Sequence, residues 1–185
     1  MELRLGRTTG AGRTQLLGDG EGCPGPGIGC RRGLFAEPGQ LLLLGRSRPG
    51  YVCAFAARPM PGNAGWLPLA RLRPGTEPVD PKPALASWIG TWREGDNRIA
   101  LAPKGDLISA AGDAYWPGRN IMPANEGSFA GTAAPSANRL RIVDDSCEVG
   151  MTLAGRFLIV ADNRMCGGHN VSFSGIFVHE RDRLR

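Results

Sequence analysis

The stretch that decides the fold is "CEVGMTLAGRFLIVADNRMC", Cys147–Cys166. It holds two strand-like runs, "CEVGMTL" and "RFLIVADN", and the pair Ala154-Gly155 between them has the composition of a two-residue hairpin turn. With that turn fixed, Leu153 faces Arg156, Val149 faces Val160 and Cys147 faces Asp162. Cys166 lies four residues past that last pair, in a glycine-rich loop, and can fold back to within bridging distance of Cys147. The expected disulfide ties the open end of the hairpin. The chain-entropy model gives roughly 3 kcal/mol for a closed loop of about 20 residues.

The strand pattern continues on both sides. Downstream, "NVSFSGIFVHE" places Val171, Phe173, Gly175 and Phe177 on one face and Ser172 and Ser174 on the other. Upstream lie "NRIALAP", a turn at Lys104-Gly105-Asp106, "LISAAGDAYW", "NEGSFAGTAAP" and "RLRIVDD". The 28 glycines and 15 prolines in 185 residues point to many turns, and no stretch has good helical periodicity. Six to eight short strands with frequent turns predict a closed barrel or a sandwich, because closure removes exposed edges.

Before this region, Arg73–Ala84, "RPGTEPVDPKPA", carries four prolines and a glycine and is expected to be an extended linker. The predicted organisation is therefore a loose N-terminal segment over 1–21, a first β unit over 22–73, a proline-rich linker over 74–86 and a second β unit over 87–181. The first unit reads as "RRGLFAE", a turn at Pro38-Gly39, "QLLLLGR", a loop through "SRPG", "YVCAFAA", a loop at Met60–Asn63 and "GWLPLARLRP".

The parts "PGQLLLLGRSRPGYVCAFA" and "AGWLPLARLRP" resemble the bacterial version of the Src-homology-three barrel, over residues 30 to 73. The resemblance implies a hairpin, a Gly-Trp strand, one helical turn and a last short strand. It also puts Trp66 and Pro68 where such barrels have a ligand groove, with Tyr51 beside them. The competing reading of Trp66 is a core residue. The expected fold class is thus all-β, a Src-homology-three-like small barrel followed by a second antiparallel β-barrel or sandwich. Over residues 22 to 180 the whole order is similar to a family of bacterial exported proteins with such a two-part build, some of them described as lysozyme-inhibitor-like. The specific parts are the W-x-G-x-W pair Trp88/Trp92 and the run D-N-x-x-C-G-G-x-N-V-x-F-x-G from Asp162 to Gly175.

Five cysteines in a strand-rich chain suggest an oxidising compartment, hence a periplasmic or secreted protein, with a cytosolic protein carrying inert thiols as the alternative. The first residues, "MELRLGRTTGAGRTQ", show no apolar signal region. Cys23 and Cys30 are expected to pair, with Cys53 left over; a bridge from either to Cys53 is the alternative. No apolar run approaches the roughly 20 residues that span a bilayer.

The net charge of +5 comes from twenty arginines and two lysines against seventeen carboxylates. An anionic partner and a GC-rich coding bias both account for this. The arginines are scattered and not interleaved with aromatics, so nucleic acid is not an expected partner.

Catalytic and metal chemistry find few carriers. Cys166 and His169 are short of the three or four ligands zinc needs, and His179 reads as a rim residue. No G-x-S-x-G occurs, nothing activates Ser172 or Ser174, and neither "GAGRTQ" nor "GDGEGCPGPG" has the ending of a phosphate loop. No catalytic residue, metal or cofactor is expected. The expected function is that of a non-catalytic envelope binding protein, whose partner is peptidoglycan or a lysozyme or other cell-wall hydrolase that it inhibits. Its candidate contacts are Asp162, Asn163, His169 and Asn170 on the bridged loop, with Tyr51 and Trp66 as a second place. The alternative is a small cell-wall hydrolase using Asp144, Asp145 and Asp162.

Overall fold

The computed structural model describes residues 3–57, 64–117 and 124–183. The chain is all-β and divides into two compact units, residues 1–79 and 80–185. The loop expected at Met60–Asn63 lies outside the described residues.

The first unit is one seven-stranded antiparallel sheet. Its strands are β1 (Arg4–Arg7), β2 (Thr14–Leu17), β3 (Arg31–Ala36), β4 (Leu41–Arg48), β5 (Tyr51–Ala56), β6 (Ala64–Pro68) and β7 (Glu77–Pro78), in the order β3-β2-β6-β5-β4-β1-β7. The β4–β5 hairpin turns at Pro49-Gly50, where Gly50 sits at φ +77°, so both strands reach the turn directly instead of leaving a loop through "SRPG". After β6 comes a single 3-10 turn, Leu69–Arg71, and Leu72 then bridges back to Thr8. Leu16, Leu42, Leu44, Ala54, Ala56 and Leu67 bury one face of the sheet.

Two expectations fail here. Residues 1–21 are not a loose segment. β1 pairs with β4 from Arg4↔Leu44 to Arg7↔Leu41, and β2 sends Leu16 to the bottom of the core with no exposed surface. Pairing with a neighbouring strand overrides the weak propensity of a Gly/Thr/Arg-rich segment. The proline-rich stretch is not all linker either. Glu77–Pro78 pairs with β1 as the outermost strand, which is the position where a missing N–H does no harm.

The second unit is an eight-stranded antiparallel meander. It consists of β8 (Gly90–Glu94), β9 (Asn97–Lys104), β10 (Leu107–Trp116), β11 (Asn125–Ala133), β12 (Arg139–Asp144), β13 (Cys147–Ala154), β14 (Phe157–Asp162) and β15 (Gly175–His179), followed by one helical turn, α1 (Glu180–Arg183). β15 pairs with β8, so the sheet curls until its two edge strands, β11 and β12, come alongside each other. The interior is filled, not hollow at its centre: Trp88, Trp92, Phe129, Phe173 and Phe177 are each at most 2% exposed. "LISAAGDAYW" turns Ala110, Gly112 and Ala114 inward, and Gly112 makes room for Phe129, whose ring a Cβ there would meet at 2.2 Å.

The hairpin that anchored the reading is offset by one turn position. Leu153 faces Leu158 and Val149 faces Asp162, so the turn is Gly155-Arg156 and not Ala154-Gly155. Gly155, at φ +61°, takes the first place of the turn, the one that demands a positive φ. The last strand is shorter than expected. β15 starts at Gly175, and Val171–Ser174 lead into it as irregular chain.

Candidate binding rim

At one end of the barrel, β14 gives way to the segment 163–174, and both predicted sulfur links close. Cys147–Cys166 holds that segment down, and Cys23–Cys30 closes a loop in the first unit. Cys53 keeps a free, half-buried thiol, whose pKa is raised by burial, against the pull of Arg46 and with a push from Asp19.

The bridged segment does more than cap a hairpin. Gly167 pairs with Gly127 of β11, and the Gly168 N–H donates to the Glu126 carbonyl at 3.1 Å. The loop leaving β14 thus reaches across the mouth to the edge strand at the far side of the sheet. The approach is closer than any side chain allows. A Cβ on Gly127 would stand 2.3 Å from the Cys166 carbonyl oxygen, and one on Gly167 would stand 2.5 Å from the Gly127 Cα. Farther along the seam, Asp144 accepts the Ala130 N–H at 2.8 Å, and Gly131 lies beneath Ile142. The glycines after Cys166 are the fastening of the barrel.

Asp162 and Asn163 build the segment from within. Asp162 accepts the Ser172 hydroxyl at 2.8 Å, the Ser174 hydroxyl at 2.5 Å and the Phe173 N–H at 3.1 Å. Burial alone would raise its pKa, but these bonds outweigh burial and hold the carboxyl below the usual range. Asn163 accepts the N–H groups of Glu148 and Met165 through its side-chain oxygen and donates to the Ser146 carbonyl at 2.7 Å. The Asn125 amide donates to the His169 carbonyl at 2.8 Å.

Of the four candidate contacts on this loop, Asp162 and Asn163 therefore hold the loop's shape, while the side chains of His169 and Asn170 face solvent. Two residues that the sequence did not single out join them: Arg164, exposed at φ +61°, and Met165, 60% exposed. A methionine inside a polar, Gly-rich loop was the available signal for the second. Beside the loop, an open groove of ≈ 480 Å³ runs along the outer face of β10 and β11. Asp96, Asp113, Tyr115, Glu126 and Ser128 line it. Arg98 answers one of those carboxylates, Asp113, at 3.5 Å.

The remaining candidates are placed elsewhere. Trp66 is 2% exposed and is core, not the wall of a groove. Its indole N–H donates to Asp19 at 3.1 Å, and the Arg46 and Arg48 guanidinium groups lie over its ring at 5.2 and 4.5 Å. Tyr51 is half-buried against the same cluster. His179 is no rim residue. It is 8% exposed, packs edge-on against Trp92 at 5.0 Å and sits with Nε2 3.2 Å from the Ile89 carbonyl. The chain makes room for that ring at Gly90, φ +136°, where a Cβ would meet Nε2 at 2.1 Å.

Asp144 is a seam residue, Asp145 a turn residue at φ +53° and Asp162 a scaffold residue, and none of the three lines the groove beside the loop. Among the described residues, no three His, Cys, Asp or Glu side chains form a group that could hold a metal ion. No helix among them is long and apolar enough to cross a membrane. Comparison with family models, with curated proteins and with solved structures returned no match for this chain.

Proposed function

We propose that the protein is a non-catalytic binding protein of an oxidising, extracytoplasmic compartment, and that it binds through the bridged loop 163–170. The observation that carries this reading is a loop whose backbone is fixed while its side chains are offered outward. The Cys147–Cys166 bond, the Gly127–Gly167 pairing and the bonds of Asn163 and Asn125 hold the main chain. Arg164, Met165, His169 and Asn170 stand in solvent. A loop already ordered loses less entropy on binding, and an exposed methionine flanked by hydrogen-bonding groups suits a protein surface. Two disulfides in one chain support the compartment.

The partner class is a cell-wall hydrolase such as a lysozyme, with peptidoglycan itself as the other envelope ligand. Arg164 and His169 would meet the carboxylates of such an enzyme. Purified protein should slow a muramidase on cell-wall substrate, and Met165→Asp with His169→Asp should abolish the effect without unfolding the chain. Full muramidase activity at large molar excess, together with no co-sedimentation on peptidoglycan, would remove the reading.

The hydrolase alternative gains no support, because Asp144, Asp145 and Asp162 each have a structural part to play.

A further inference from the structure

The first unit carries a second feature, independent of the bridged loop. All of the chain's excess positive charge belongs to it: residues 1–79 hold ten arginines against five carboxylates, whereas residues 80–185 hold twelve basic and twelve acidic side chains. Part of that charge surrounds the loop closed by Cys23–Cys30, "CPGPGIGC". The loop has no charged and no hydrogen-bonding side chain between its cysteines. Pro26 to Gly29 are exposed, and Ile28 is the most exposed large apolar residue in the described chain, at 83%.

Arginines frame this apolar tip. Arg31 follows Cys30 directly, is exposed, and pairs with Leu17, which pairs in turn with Trp66. Arg48 donates to the Cys23 carbonyl at 3.0 Å, so its guanidinium is fixed at the foot of the loop. Arg46 and Arg48 share one carboxylate, Asp19, at 2.6 and 3.1 Å, and both rest on Trp66. Two guanidinium groups answered by one carboxylate leave a net positive charge held in place, and their side chains remain 57% and 42% exposed.

We infer that this face of the first unit docks on an anionic lipid surface, with Ile28 entering the headgroup–acyl boundary and Arg31, Arg46 and Arg48 meeting lipid phosphates. The chemistry distinguishes a bilayer from a soluble polyanion. A polyanion rewards the arginines alone and gives nothing to an isoleucine held in water. A bilayer rewards both, and it accepts an uncharged Pro/Gly/Ile tip without desolvating any side-chain charge.

The test is sedimentation of the full chain with vesicles of equal parts phosphatidylglycerol and phosphatidylcholine, with phosphatidylcholine alone as the control. Binding is expected on the anionic vesicles only and should weaken with salt. Ile28→Ser, at a position that supports no core, should lower partitioning about tenfold. Arg31→Gln should lower it about fivefold. Soluble polyphosphate should compete weakly. Equal binding to neutral vesicles, absence of binding, or a strong response to polyphosphate with Ile28→Ser unchanged from the parent would each overturn the inference.

Discussion

The two units each have one disulfide, and the two bonds do different work. Cys23–Cys30 is separated by 7 positions and shapes a surface loop; Cys147–Cys166 is separated by 19 and fastens a strap across the mouth of a barrel. The chain-entropy model alone assigns about 2.5 kcal/mol to the short loop and about 3.3 kcal/mol to the long one, a difference below 1 kcal/mol. What separates them is what hangs on each. Release of the first frees a loop whose apex is already in water. Release of the second frees the Gly127–Gly167 pairing, the Asn163 bonds and the segment that seats Val171 and Phe173 in the core. A disulfide's value is thus read from the contacts it keeps in register, more than from the length of chain it encloses.

The largest effect expected from this comparison comes from the paired replacement Cys147→Ser with Cys166→Ser. It should cost the second unit about 3–5 kcal/mol, seen as a lower denaturant midpoint and as faster amide exchange confined to residues 80–185. Cys23→Ser with Cys30→Ser should cost the first unit about 2 kcal/mol and leave exchange in the barrel untouched. Equal losses from the two pairs would break the argument.

The next effect is steric. Gly167→Ala brings a Cβ within 2.5 Å of the Gly127 Cα, which backbone cannot yield cheaply. A loss of about 1–3 kcal/mol is expected, while Gly168→Ala, where the nearest atoms belong to the Asn125 side chain at 3.1 Å, should cost less. Denaturant titration of both variants separates them.

A smaller effect is pH-dependent. The Asp162 carboxyl is depressed in the fold, so its stabilising contribution is complete above the unfolded value of about 3.9 and is lost as pH falls through the lower folded value. Asp162→Asn should therefore lower stability by about 1 kcal/mol at neutral pH, and the gap to the parent should close at acid pH. Glu94 has the opposite sign. Burial first, and Asp96 second, raise its pKa, so its ionised form weighs on the fold as pH rises. Glu94→Gln should raise the midpoint slightly at neutral pH, by about 0.5 kcal/mol or less. The smallest signal is chemical: burial raises the Cys53 thiol, so alkylation of the native chain at neutral pH should be slow and should accelerate on unfolding.

Much of the second unit was legible because period-two patterning and turn glycines are local signals. The hairpin of β13 and β14 was placed within one turn position, and the error left the sulfur link intact because Cys166 sits in a loop that can absorb a two-residue change in pairing. Three features were out of reach. β1 forms against β4, some forty residues away, and β2 against β3 and β6, and "RLGR" alone has no strand signature. The roof of Arg46 and Arg48 over Trp66 depends on Asp19, which stands 47 positions before Trp66, and nothing in the composition links them. The Gly127–Gly167 approach is a contact between residues with no side chains, so it leaves no apolar or charged trace in the pattern. The rim was legible as a bridged loop; which of its side chains are left for a partner was not, because Asp162 and Asn163 are as polar as His169 and Asn170 but are spent on hydrogen bonds within the segment and to its neighbours.

The fastening of the seam bears on handling as well as on folding. In thiol reductant the strap would lift from β11, and the barrel would open along its one unladdered line, baring the margins of β11 and β12 with their free amides and carbonyls. Such margins recruit strands from other molecules. Reduced preparations should therefore lose solubility by intermolecular sheet growth before the interior melts, and reoxidation should rescue only those chains that had not yet found one another.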